Sequence, residues 1–107
     1  MLVYFYISDN FKSAGKLTKV FKFLDYGKFY CINIDDGLIN LANDLNLTVN
    51  LVNKKDLYKV LRAVDFILIF ATDNDKFVNK LIRYSIQKGR NLILIPDEET
   101  AYLTEKV

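Results

Sequence analysis

Residues Val64 to Asn79 read VDFILIFATDNDKFVN, and this stretch decides the fold. Its first half, Asp65 to Ala71, is an apolar run rich in Ile and Phe, the pattern of a strand buried on both faces of a parallel sheet. Thr72-Asp73-Asn74-Asp75 then offers four residues able to cap a helix, and Phe77, Val78, Leu81, Ile82 and Ser85 recur at helical spacing up to Lys88-Gly89. Strand, polar turn and helix follow in that order. Ligands of open α/β sheets sit outside the carboxyl ends of the strands, so the turn from Ala71 to Asp75 is the first place to look for a site.

Upstream, Leu2 to Ile7 (LVYFYI) is a second buried-strand pattern. Ser8-Asp9-Asn10 offers helix caps, and Phe11, Ala14, Leu17, Phe21 and Leu24 fall on one helical face, with Lys12, Lys16, Lys19 and Lys22 around the other, most simply a solvated face with polyanion binding as its competing role. This helix is expected to close at Tyr26-Gly27 through a left-handed glycine. Phe29 to Ile34 reads as a third strand, closed by Asp35-Asp36-Gly37, and Leu38, Leu41, Ala42 and Leu45 make a short helix. Leu47 to Val52 alternates like an edge strand, with Leu47, Val49 and Leu51 on one side. Asn53-Lys54-Lys55-Asp56 caps a helix that turns Leu57, Val60, Leu61 and Val64 inward. Downstream, Asn91 to Ile95 is the last strand, ended by Pro96, and Asp97-Glu98-Glu99 starts a final helix through Tyr102 and Leu103. Five strands alternate with five helices, so right-handed crossovers give one α/β domain over residues 1–107, a Rossmann-type parallel sheet of order 3-2-1-4-5.

Composition narrows the chemistry. With 107 residues, 51% of them hydrophobic, the chain can fill one core. A net charge of +2 is too weak a bias to argue for nucleic acid or a membrane surface unless the lysines cluster, and along the sequence they cluster only locally, so no nucleic-acid partner is expected. No apolar run approaches the roughly 20 residues that span a bilayer. The start lacks a signal-peptide pattern, which makes the cytoplasm the expected compartment. Histidine is absent and Cys31 is the sole cysteine, which removes Ser-His and Cys-His pairs and the usual zinc sites. Cys31, in mid-strand, reads as an inert core residue.

The switch point of this topology lies between the first and fourth strands, so the expected pocket floor is Ser8 to Phe11 and Ala71 to Asp75. Asp35 ends the second strand, where a dinucleotide fold puts the carboxylate that bonds ribose hydroxyls; capping of the next helix is its competing role. Ser8, Asn10 and Ser13 stand where G-x-G-x-x-G needs glycine, and a Cβ there hinders close approach to a pyrophosphate. Asp9 adds a negative charge that disfavours an anion. Gly15-Lys16 is no P-loop, since Leu17 follows and the pair is expected inside the first helix. Asp73 and Asp75 have oxygen ligands for a hard cation, with helix capping the simpler role. The candidate cofactor-binding set is therefore Ser8, Asp9, Asn10, Phe11, Ser13, Asp35, Ala71, Thr72, Asp73 and Asn74, with no catalytic or metal residue.

Two stretches, INIDDGLINLANDLNLTVNLV and DLYKVLRAVDFILIFATDNDKFVNKLI, together with the tail NLILIPDEETAYLTEK, resemble the N-terminal nucleotide-binding domain of the TrkA/RCK family, regulators of potassium uptake. The resemblance implies a regulatory module that binds NAD or an adenine nucleotide, with binding roles at Ser8, Asn10, Asp35, Thr72 and Asp73 and a membrane transport protein as partner. The FATDND stretch and the Asn79 that follows also resemble the NAD-binding domain of precorrin-2 dehydrogenase, which implies an enzyme. A dimeric interaction domain that has lost its ligand is a third reading. Tyr84, Ile86, Tyr102 and Leu103 exceed what one inward stripe requires, and predict a homodimer joined through Lys76 to Lys88 and Asp97 to Val107. The competing arrangement folds Tyr102 and Leu103 back onto their own sheet.

Overall fold

A computed structural model describes residues 1–9, 11–24, 27–32 and 36–97. The strands are β1 (Leu2–Ile7), β2 (Lys28–Cys31), β3 (Val49–Leu51), β4 (Phe66–Ala71) and β5 (Leu92–Pro96). The helices are α1 (Ala14–Phe23), α2 (Asp36–Asp44), α3 (Leu57–Ala63) and α4 (Lys76–Gln87), with a 3-10 turn at Lys54–Asp56 before α3. All strand pairs are parallel and the sheet order is β3-β2-β1-β4-β5, as the sequence predicts. The final helix expected to start at Asp97 lies, beyond Asp97 itself, outside the described residues, as does Asp35.

Each face of the sheet buries its own cluster. Val3, Phe5, Phe29, Cys31, Leu68 and Phe70 face α1 and α2, where they meet Leu17, Phe21, Leu24 and Ala42. Phe5, Phe21 and Phe29 pack edge to face there, with ring centroids 5.3–6.1 Å apart. Tyr4, Ile67, Ile69 and Ala71 face α3 and α4, where they meet Leu57, Leu61, Val64, Val78 and Leu81. The period-2 alternation within β1 and β4 thus serves two cores, which is why their sequences read as continuous apolar runs. Cys31 is buried, and burial pushes its thiol up to about 11, so it is the inert core residue expected.

Four local expectations are corrected. First, α1 begins at Ala14, with Ser13 at the N-cap position and no side-chain cap bond. Ser8 and Asp9 stand too far ahead to cap it, because the chain first turns through Phe11 N–H to the Ser8 carbonyl and sinks the Phe11 ring against Phe70, while Asn10 lies outside the described residues. Second, and for the same reason, Gly15-Lys16 falls in the first turn of α1, where Lys16 Nζ donates to the Pro96 carbonyl. Third, Gly27 is not left-handed; it is small because an added Cβ would lie 3.2 Å from the Leu24 carbonyl oxygen and 3.3 Å from the Phe29 ring. Fourth, β3 is only three residues long, and Leu51 is exposed while Leu47, ahead of the strand, is buried. An edge strand this short holds its inward alternation only where α2 delivers it, at the Leu47 N–H bond to the Ala42 carbonyl.

Candidate functional site

The carboxyl ends of β1 and β4 are joined by a hydrogen-bonded knot centred on Asp75. Asp75 is the N-cap of α4, and its Oδ1 accepts from the N–H groups of Phe77 (2.9 Å) and Val78 (3.3 Å). Its Oδ2 accepts from the hydroxyls of Tyr6 (2.8 Å) and Ser8 (2.7 Å), which share a face of the chain because they are two residues apart. Ser8 is buried, and its Oγ also accepts from Thr72 N–H at 3.2 Å. Asn74, with φ of 64°, provides the left-handed step that turns the chain between β4 and α4.

Burial works against the charge on Asp75, but the bonds from Ser8, Tyr6, Val78 and Phe77 outweigh it and hold the carboxyl below its ordinary range. Burial first, and then the bond to Asp75, push the Tyr6 phenol upward, so it stays a neutral donor. The gap between β1 and β4 is consequently filled by the chain's own anion. A ligand phosphate at the amino end of α4 would meet this carboxylate, which already takes the N–H groups such a phosphate needs.

The open space lies one strand over. A cleft of about 450 Å³ sits above the carboxyl ends of β1 and β2, beside α3 and α4. Ile7, Ile32 and Leu57 give it an apolar floor; Tyr6, Tyr58 and Phe77 are aromatic walls; Lys54, Lys80 and Asp9 bring charge to it. The Tyr6 and Phe77 rings are 4.7 Å apart, and the Tyr6 bond to Asp75 fixes the orientation of that wall. Lys80 Nζ stands 5.7 Å from the centre of the Tyr58 ring.

Of the residues singled out in the sequence, Asp9 lines this cleft. Ser8 and Thr72 come together in the Asp75 knot, while Phe11 joins the α1 side of the core. The Ser13 carbonyl accepts from Lys16 and Leu17, and the Ala71 carbonyl accepts from Asp97 N–H. Asp73 and Asn74 are exposed in the turn, and Asn10 and Asp35 lie outside the described residues. No group of three or more metal-ligating side chains occurs among the described residues. The aromatic and charged cleft residues outside the set expected from the sequence are Tyr6, Lys54, Tyr58, Phe77 and Lys80. Tyr6 carried a signal, being two residues before Ser8 at the end of a strand; Lys54, Tyr58 and Lys80 carried none, since helical periodicity marks them only as outward-facing.

Sheet order and crossovers define an α/β domain of Rossmann-like architecture with a ligand-sized cleft at the carboxyl ends of its strands. No family model, curated protein or solved structure matches the chain. No helix among the described residues is long and apolar enough to cross a membrane.

Proposed function

We propose that the chain is a regulatory ligand-binding module that takes an adenine nucleotide in the β1–β2 cleft. The observation that carries this reading is the lining of the cleft: aromatic walls for a flat base, two lysines for phosphates and the Asp9 carboxylate as acceptor for ribose or amino donors. A mononucleotide fits these groups better than NAD, because the dinucleotide's pyrophosphate has no glycine turn to rest on and the α4 terminus is filled by Asp75. Following the TrkA/RCK likeness, occupancy of the cleft would be passed to a potassium-transport partner.

Thermal shift with AMP, ADP, ATP and NADH tests the reading. A ligand at 100 times its Kd stabilises by about 2.7 kcal/mol, which for a domain of this size raises Tm by roughly 10–20 °C. The rise is expected with an adenine mononucleotide and is expected to be lost in Lys54→Glu, whose side chain is exposed and lines the cleft. No shift with any nucleotide would reject the site and leave an interaction domain. Turnover of NADH would instead favour the precorrin-2 dehydrogenase likeness.

The interaction reading has its own observation. Ile86 is 74% exposed on α4, and Leu94 is exposed on the α4 face of β5, an outer strand of the sheet. These residues favour a homodimer built on the α4 and β5 side, with or without a ligand.

A further inference from the structure

The charge of this chain nearly cancels in sum, yet it does not cancel in place. The segments LYKVLRA of α3 and KFVNKLIRYSIQ of α4 contain no Asp or Glu, while they hold Lys59, Arg62, Lys76, Lys80 and Arg83, and Lys88 follows at once. A groove of about 500 Å³ runs between the outer surfaces of the two helices. Arg62, Lys80, Arg83 and Lys88 line it, and no carboxylate does among the described residues. Tyr58 and Tyr84 form its aromatic part, their rings 5.3 Å apart and tilted by 45°.

We propose that this groove binds single-stranded nucleic acid, with the arginines and lysines on successive phosphates and Tyr58 as a stacking platform for a base. Three features select this occupant. Four cations held together in one concavity repel each other, and a polyanion relieves that repulsion. Arginines on facing helices suit bidentate contact with phosphate oxygens. Tyr58 is 44% exposed, so one part of its ring is open to a base. A concave groove also admits a thread more readily than a flat bilayer, and an acidic peptide, though threadlike, gains less from a partly exposed aromatic ring. The groove shares Tyr58 and Lys80 with the cleft, while Arg62, Arg83 and Lys88 border the groove and not the cleft, so the arginine pair separates this proposal from the nucleotide reading.

Fluorescence anisotropy with a labelled 12-nucleotide single strand, titrated with the full chain at several salt concentrations, tests it. Single strands lose affinity with a slope of about −0.7 in log K against log salt per phosphate neutralised, so the four cations predict a slope near −3. Arg62→Gln with Arg83→Gln is expected to bring the slope down by about 1.4, and Tyr58→Ala to weaken binding about tenfold. All three residues are exposed, and a circular-dichroism melt confirms that the variants remain folded. Lys19→Gln with Lys22→Gln, on the exposed side of α1, removes the same charge elsewhere and is expected to leave binding unchanged. Absence of binding at 50 mM salt (~14 Å screening length), equal losses from the α1 and groove pairs, or tighter binding to polyglutamate or to phosphatidylglycerol vesicles would each overturn the proposal.

Discussion

Asp75 acts twice, and only one action is visible in its neighbours along the chain. It caps α4, and it also gathers Tyr6 and Ser8 from a strand almost 70 residues away, which closes the gap at the top of the sheet and sets the Tyr6 wall of the cleft. Removing it in Asp75→Ala takes away a cap worth about 1 kcal/mol and bonds to two hydroxyls worth together about 1 kcal/mol more at this half-buried site. The expected Tm loss is roughly 8–16 °C. The pH dependence follows from the lowered carboxyl: in the acid range the unfolded chain binds the proton more readily than the folded one. The stabilisation is therefore complete above the ordinary aspartate value of about 3.9 and is lost as pH falls below it. Melting curves of the two proteins should lie furthest apart at pH 7 and approach each other towards pH 2. A gap that stays constant with pH would show that Asp75 contributes nothing through its charge.

At the level of the element, α4 ends as its sequence says and α1 does not. Gly89 has φ of 62°, and the N–H groups of Lys88 and Arg90 reach back to the Tyr84 and Ser85 carbonyls, so the helix closes through a left-handed residue. An added Cβ at Gly89 meets nothing within 4 Å, so Gly89→Ala is a pure backbone test. It should cost about 1 kcal/mol, seen as a lower urea midpoint, and Gly89→Asn should recover much of that, as Asn46 and Asn74 already hold φ of 57° and 64° here. Equal costs for Ala and Asn would mean that something other than φ is at stake. Gly27 shows why the same residue type misleads elsewhere: its smallness answers to the Leu24 carbonyl three residues back and the Phe29 ring two residues on, a close local approach and not a left-handed φ. The strands and helices were legible because burial on two faces and on one face leaves different periods. The cleft was not, because it arises where α3 and α4 stand beside β1 and β2, and lysines such as Lys54 and Lys80 look like any solvated residue until that packing brings them together.

For the whole molecule, the two flanks of α4 point to different partners. Tyr84 and Arg83 border the basic groove on the α3 side, whereas Ile86 lies about 160° round the helix from Tyr84 at 3.6 residues per turn. Two copies meeting at the groove would bring Arg62, Lys80, Arg83 and Lys88 against their own images across a two-fold axis, which like charges oppose. Two copies meeting through Ile86 and the exposed Leu94 of β5, which shares the α4 face of the sheet with Leu92, would cover apolar surface without that repulsion, and would shield the unpaired edge of an outer strand. A homodimer joined on the α4–β5 side leaves both the cleft and the groove open, so association and ligand binding need not compete. Light scattering on the full chain at micromolar concentration should give twice the 12.5 kDa chain mass. Ile86→Asp, which places a charge at the centre of the proposed contact, should return the mass to that of one chain while leaving the Tm of the isolated domain nearly unchanged, because Ile86 contributes little to its own core. A wild-type monomer, or a dimer that tolerates Ile86→Asp, would remove the α4–β5 side as the interface.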